Sequence, residues 1–597
     1  MSGLVGVWHS DDRPIDRGLV AALASTIAHR GADHVGIWTA HGIGLACRMR
    51  RVTPESAAES QPVFDATGCA VLFDGRLDNR DELLGATAAL DVPRESPDST
   101  IVLAAHRQWG PGFLQRLEGD FALVLFDPRD RSLCLARDAV GCRPLYYWSD
   151  RRTLVVASEI KAILAHPDVS ARPNEDLLAD ALLLDRLPYD DEGETFFESI
   201  HAVRPGHWLR AAAGEIQSGQ FWDFDPSAET RYTVFADYSD HLRQLMVTSV
   251  KRRLRSVGPI AIAVSGGLDS SSVLCLADDL RRAGVADVPL MPLTYTPAAD
   301  ASSEENRFLA LLESTRRLSI DRMPMGVPGD IEQARHAAWH SESPVYDEGW
   351  CAQRPMVAHA QARGARVLLT GLWSDQLLFA TGYLADLVLG LAWRTVARHL
   401  AEYPRWFGDA ERGYFRSRLR RELLSYLAPD ALRDVMRAIR SRRAVPRDPA
   451  LAERDWAERI KRRRGRVAHP RFGSAHARCL YEAVRARWRR LQLEVDEKLI
   501  AGYGMETATP FLDRTVIAFL MSIPGEVQNH GGVPRLILRE ALRGIVPDPV
   551  LARRWCDDEA RASAREGAQV GLESWRRGFF VEPALSGKLT LPSRPCL

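Results

Sequence analysis

The sequence predicts two unlike domains in tandem. An α+β sandwich occupies about residues 1–220, and an α/β domain with a parallel sheet occupies 221–597, interrupted by a helical insertion at about 391–470. Three observations carry this. Short apolar runs recur between turn signals in the front part; from Pro259 strands alternate with helices; and a dense run of arginines breaks that alternation. A chain of 597 residues suits two or three domains at about 100–200 residues each.

In the front part the strand runs are Gly36–Thr39, Ala70–Phe73, Phe121–Phe126, Ser132–Ala136 and Leu154–Ala157, separated by turn signals such as Asp74-Gly75 and Asp127-Pro128. Helical patterns fall at Gly18–Ala28, Arg80–Ala88 and Thr100–Trp109. Phe221–Pro226 closes this part and Tyr238–Leu254 begins a new helix. Ile260–Val264 then reads as a buried strand, followed by a glycine turn, a helix from Asp269 to Arg282 and a second apolar run at Val288–Thr294. Met356–Ala362 is helical, Gly364 stops it, and Arg366–Thr370 returns to strand. In such a sheet ligands bind beyond the carboxyl ends of the strands. Between 391 and 470 there are 21 Lys and Arg against 10 Asp and Glu, densest at Arg418–Arg421 and Lys461–Arg466. This stretch is either a solvated helical face or a basic surface for an acidic partner, such as part of a peptide.

Composition excludes several classes. A chain that is 46% hydrophobic is not disordered, and 78 basic against 78 acidic residues give no global electrostatic case for nucleic acid or a membrane as partner. The nine cysteines contain no CxxC pair, so reduced thiols in a cytoplasm are expected rather than a zinc site or a disulfide scaffold. His9, Asp11, Asp12 and Arg13 interrupt any signal-peptide core, and Leu384–Trp393 carries Asp386 and is half the length of a membrane span.

Two motifs sit where strands empty into glycine turns. Ser265-Gly266-Gly267-Leu268-Asp269-Ser270-Ser271 follows the first strand and opens a helix. Its glycines let the backbone approach an anion, its hydroxyls and free amides donate to that anion, and the helix dipole adds favourable charge. No lysine follows the glycines, so this is not the Gly-Lys-Ser/Thr phosphate loop. The turn resembles the pyrophosphate loop of enzymes that split ATP into AMP and pyrophosphate. The second motif, Thr370-Gly371-Leu372-Trp373-Ser374-Asp375, follows a neighbouring strand; Asp375 either caps the next helix or joins Asp269 in holding Mg²⁺. The nucleotide-binding set is therefore Ser265, Gly266, Gly267, Asp269, Ser270, Ser271, Thr370 and Gly371, with Leu293 from the second apolar run. Further on, Arg535 and Arg539 lie four apart, which puts them on one helix face, as a stabiliser of developing phosphate charge or as an exposed basic stripe.

Over nearly its whole length the chain resembles the asparagine synthetase family. The front half carries His29-Arg30-Gly31-Ala32-Asp33, Asp74-Gly75-Arg76-Leu77-Asp78-Asn79, Gly119-Asp120-Phe121, Ala136-Arg137-Asp138, Arg143-Pro144-Leu145-Tyr146-Tyr147 and Ala157-Ser158-Glu159-Ile160-Lys161-Ala162. These are similar, in order, to the family's glutaminase domain, an N-terminal-nucleophile fold. The back half adds the pyrophosphate loop, Glu342-Ser343-Pro344, the second glycine turn and Pro510-Phe511-Leu512-Asp513. The resemblance implies an ATP- and Mg²⁺-dependent amide-forming ligase.

The departures from the family pattern shape the expectation. Glutamine-using members begin with cysteine after loss of the initiator, and here position 2 is Ser2, whose hydroxyl needs far more activation. Asp74 stands where the family has an oxyanion-stabilising asparagine, and a carboxylate repels an oxyanion. An inactive glutaminase makes no ammonia, so the amine must come from elsewhere. Two branches then fit by resemblance: β-lactam synthetases and lasso peptide cyclases. Leu372 replaces a glutamate found in the asparagine-forming branch and cannot imitate the catalytic tyrosine of β-lactam synthetases; Arg535 replaces a lysine and cannot exchange a proton near neutrality. The chain length and basic insertion favour the cyclase branch. That branch implies a core peptide as substrate, with a leader-binding protein and a leader peptidase as partners. Asp375 and Arg535 are the catalytic expectations, with Glu506 a candidate general base.

Overall fold

The computed structural model describes residues 2–178, 192–296, 304–326, 331–344, 348–408, 412–427 and 470–554. Among the described residues of the front part, twelve strands form two six-stranded sheets. In chain order they are β1 (Gly3–His9), β2 (His34–Ala40), β3 (Ile43–Met49), β4 (Val63–Phe64), β5 (Ala70–Leu77), β6 (Gly119–Asp127), β7 (Ser132–Arg137), β8 (Tyr146–Ser149), β9 (Thr153–Ala157), β10 (His201–Ala202), β11 (His207–Ala212) and β12 (Glu215–Gln220). One sheet runs β10-β8-β9-β1-β3-β2 and the other β12-β11-β7-β6-β5-β4. Alternation along each strand sends one set of side chains between the sheets, where Leu4, Leu45, Leu72, Val124 and Leu135 meet. The other set packs outward, against α1 (Arg17–Ser25) on one side and α2 (Asp98–Trp109) on the other. The result is a four-layer αββα sandwich.

Asp74-Gly75, expected as a turn, lies inside β5. Gly75 is required there for a different reason: its φ is +154°, and a Cβ would stand 2.2 Å from the Asp120 carbonyl oxygen of the paired strand. Close approach of two strands, rather than a bend, selects the glycine.

The second part begins with α3 (Phe235–Arg253) and holds a five-stranded sheet. Its strands are β13 (Ile260–Ala263), β14 (Leu290–Thr296), β15 (Asp321–Pro324), β16 (Val367–Leu369) and β17 (Glu506–Ala508), in the order β15-β14-β13-β16-β17, all parallel. Ile260, Ala261 and Ile262 are fully buried, as a parallel strand covered on both faces requires. β13 and β16 are neighbours, with Ile260 opposite Val367 and Ile262 opposite Leu369. Their carboxyl ends, and the two glycine turns that follow, are thereby set side by side. α4 (Leu268–Arg282) leaves the first turn and α5 (Ser374–Leu378) the second. Farther along lie α6 (Arg487–Ala501) and α7 (Leu536–Ala541). Most of the basic stretch at 391–470, including Lys461–Arg466, lies outside the described residues. Among the described residues no helix is long and apolar enough to cross a membrane.

Candidate nucleotide site and its buried counterpart

The turn after β13 is shaped by its own residues. Gly266 has φ +68°, and Ser265 donates its backbone N–H to the Ser270 hydroxyl at 3.0 Å, which ties the turn to the first helical turn. Ser265 is exposed, Asp269 and Ser270 are half-buried, and the buried Ser271 hydroxyl has no hydrogen-bond partner among the described residues. The free amides at the start of the fifteen-residue α4 face the same place. In the neighbouring turn, a Cβ at Gly371 would lie 2.7 Å from Asp269 C and Ser270 N, so only glycine lets the two turns touch. Thr370 is fixed by its N–H to the Ala508 carbonyl at 3.0 Å, while Leu372 projects outward.

Three charged side chains converge at this seam. One nitrogen of Arg535, Nη1, lies 2.7 Å from both oxygens of Asp269 and 2.7 Å from Oδ1 of Asp375. The Ser374 hydroxyl donates to Asp269 Oδ1 at 2.7 Å. The carboxylates come from residues more than a hundred positions apart, and Arg535 comes from a third segment, where Asn529 Oδ1 accepts its backbone N–H at 3.1 Å. Arg535 is nearly buried, whereas the Asp375 side chain is 46% exposed, so the cluster opens to solvent on one side.

This donor set fits Mg²⁺. Two hard carboxylates focus on a single point, and the described residues offer no cluster of three or more His, Cys, Asp or Glu there. A magnesium site of one or two carboxylates completed by phosphate oxygens and water has that composition.

Other site expectations are placed differently. Glu506 is at the amino end of β17, level with Val367, and so at the opposite end of the sheet from the two turns. Its Oε2 accepts from Arg143 at 2.8 Å. Burial pushes its carboxyl up, but Arg143 and Arg76 outweigh this and hold it at about 2. An anion so pinned joins the two domains and is no general base. Leu293 is wholly buried, and its carbonyl accepts from Val264 N–H at 2.8 Å as a sheet contact. Arg535 and Arg539 do not share a helix face: Arg535 precedes α7 with φ +55°, and Arg539 turns to backbone carbonyls, among them Pro534 and Arg553. Glu342 braces the domains, accepting from Lys161 Nζ and Lys498 Nζ at 3.1 Å each.

The counterpart lies at Ser2. Its backbone N–H donates to Asp74 Oδ1 at 2.6 Å, its carbonyl accepts from Arg30 Nε at 3.1 Å, and its hydroxyl accepts from the Arg50 N–H at 3.2 Å. Arg30, fully buried, bonds Glu159 at 2.9 Å and Glu497, from α6 of the second part, at 2.7 Å, with Asp74 Oδ2 3.4 Å away. The Glu497 link, Glu506 and Glu342 form an ionic belt between the domains that sequence spacing did not reveal, because each member's partner lies more than 150 residues away. A narrow cleft with room for about one water also opens between the domains, lined by Asp78, Asp120, Asp138, Arg253 and Asp513 among others. It includes no residue of either glycine turn.

A family model described as a glutamine amidotransferase domain matches residues 1–222, and one described as asparagine synthase matches residues 241–567. The chain is 24% identical to asparagine synthetase [glutamine-hydrolyzing] 3 of Bacillus subtilis over 547 residues, covering 89% of this chain and 82% of that protein. It is 23% identical to asparagine synthetase [glutamine-hydrolyzing] 1 of the same organism over 593 residues, covering 93% and 86%. It is 28% identical to the amidase chry2 of Gibberella zeae over 387 residues, covering 62% of this chain and 56% of that protein.

Proposed function

We propose a specific function for this chain, which belongs to the asparagine synthase family of ATP-dependent amide-forming ligases: it is a lasso peptide cyclase. It joins an Asp or Glu side chain of a core peptide to the peptide's own N-terminal amine. The observation that carries the activation chemistry is the convergence of Asp269, Asp375 and Arg535 within 2.7 Å at the seam of two strand-end turns.

The chemistry follows from that seam. Ser265, Ser270 and the amides opening α4 receive the pyrophosphate portion of ATP; Asp269 and Asp375 would hold Mg²⁺, which would neutralise phosphate charge there. A carboxylate oxygen of the peptide attacks the α-phosphorus, the bond to the β-phosphate oxygen breaks, and pyrophosphate leaves. Arg535, permanently charged, stabilises that leaving charge and takes no proton. The peptide amine then attacks the acyl carbon, AMP departs, and the amine loses its proton to bulk base. Holding amine and acyl group together supplies much of the rate.

The choice of amine rests on the Ser2 site. Asp74 binds the Ser2 amide and Arg30 is claimed by buried carboxylates, an arrangement that supports a glutaminase without an oxyanion pocket. Leu372, 48% exposed beside Asp375, offers neither a carboxylate nor a phenol to the nucleophile. A substrate that brings its own amine suits both. A leader-binding protein and a leader peptidase would deliver that peptide. The test is incubation with ATP, Mg²⁺ and leader-trimmed peptides read by mass spectrometry. A product lighter by one water, with AMP and pyrophosphate released, is expected. Asparagine formed from aspartate and ammonium, with every peptide unchanged, would replace this reading with an ammonia-using asparagine synthetase.

A further inference from the structure

Trp373 stands in the second glycine turn, one residue before Ser374 and two before Asp375, and its φ is +72°. A bulky side chain rarely adopts that left-handed conformation, which disfavours an L residue by about tenfold or more in population. Local preference therefore pulls the turn away from the shape that starts α5 and aims Ser374 and Asp375 at Asp269 and Arg535. Strain of this kind persists where the surroundings over-determine it.

The surroundings are found on α6. Arg489 lies with its guanidinium carbon 3.7 Å from the centre of the Trp373 ring and 5.5 Å from that of Trp488, and the two indoles are 5.7 Å apart. Arg489 is 1% exposed, its Nε donates to the Ala483 carbonyl at 3.1 Å, and neither Nη1 nor Nη2 has a hydrogen-bond partner among the described residues. Burial alone pulls it down to about 9. Buried Arg30 and Arg143, by contrast, face carboxylates. Arg489 faces the electron-rich face of an indole, an attraction that strengthens when the cation is desolvated.

We propose that Arg489 is a positioning residue for the nucleotide site: stacked on Trp373, it holds that residue in the left-handed conformation and thereby fixes Ser374 and Asp375 against Asp269. It touches none of the reacting atoms. The inference rests on the nucleotide-site reading given above.

The experiment measures Mg-ATP affinity of the full chain by titration calorimetry, alongside its melting temperature. Arg489→Met, which keeps length and loses charge, is expected to bind about tenfold more weakly, because only the fraction of molecules with the turn formed is competent. Adding Trp373→Gly to that variant should restore affinity, since glycine takes positive φ freely, even as the melting temperature falls further from the lost indole. A merely structural arginine predicts the reverse, no recovery of affinity in the double variant, and that outcome overturns the proposal. Equal affinity of R489M and the wild type overturns it as well. If R489M does not fold, Arg489→Lys carries the same test: about threefold weaker binding, relieved by Trp373→Gly. A wild-type chain that binds no Mg-ATP overturns the nucleotide-site reading and this inference with it.

Discussion

Arg30 and Arg535 each draw carboxylates from distant parts of the chain onto one guanidinium, and they serve opposite ends. Around Arg30 the side chains of Asp74, Glu159 and Glu497 are all within 4% of complete burial. Around Arg535 the carboxylate of Asp375 remains nearly half exposed. The first group satisfies its charges internally, spans both domains and leaves no capacity for a ligand. The second keeps one side open, so a magnesium-bound phosphate can compete for the same oxygens. What separates the structural ion cluster from the proposed nucleotide site is access to water, not composition, because desolvated charges are costly to unpair and half-solvated ones are cheap to exchange.

Substitutions in the two clusters sharpen that contrast. The largest effect belongs to Asp269→Ala, which removes two of the three 2.7 Å contacts to Arg535. Release of pyrophosphate from ATP under the proposed function is expected to fall by at least ~10²–10³-fold, with the unfolding midpoint little changed. Retained activity would reassign the open cluster to structure. Glu497→Gln acts on the closed cluster, leaving Arg30 with less compensating charge, and should lower stability by about 3–5 kcal/mol in urea titration without weakening Mg-ATP binding by the folded fraction.

Acid should act on the belt next. Glu494, which adds a further link between the domains through Arg137 at 2.7 Å, and Glu506 are pushed up by burial but held at about 2 by their arginines, Arg490 and Arg137 for the first, Arg143 and Arg76 for the second. A carboxyl lowered on folding contributes stability that is whole above its unfolded value and is lost as pH falls through the folded one. The unfolding midpoint should therefore be flat from pH 7 to about 5 and drop steeply between about 4.5 and 2. The smallest effect is at the inter-domain cleft, where burial raises the Asp78 carboxyl to about 6. A carboxyl raised on folding is destabilising when ionised, so Asp78→Asn should be stabilising at pH 8, and that advantage should fade as pH falls from about 6 toward about 4.

Much of the framework was legible in order along the chain. Ile260–Val264, the serine-glycine turn and the helix to Arg282 appear in the structure as β13, the turn and α4. They were readable because a buried parallel strand, positive-φ glycines and an amphipathic helix each leave a local mark. Asp375 was also visible, from a second strand-and-turn pattern, although only the order of the sheet places it against Asp269. Glu506 shows the limit. Its motif drew attention, but a three-residue strand gives no sign of which end faces the site, and Arg143 and Arg76 lie more than 360 residues before it. Asp74-Gly75 misled for the same reason, since a glycine selected by an approaching strand and one selected by a turn look alike in one dimension.

By itself the sequence determined the two domain types, the glycine turns, and the presence of Ser2 and Asp74 at the front of the chain, because these depend on residues close together in the chain. The tertiary structure alone decided which carboxylates meet. It set β13 beside β16, brought Arg535 to their seam, buried Arg30 among three acids and laid Arg489 on Trp373. Those pairings depend on sheet order and burial, quantities that arise only when segments hundreds of residues apart exclude water from the same place.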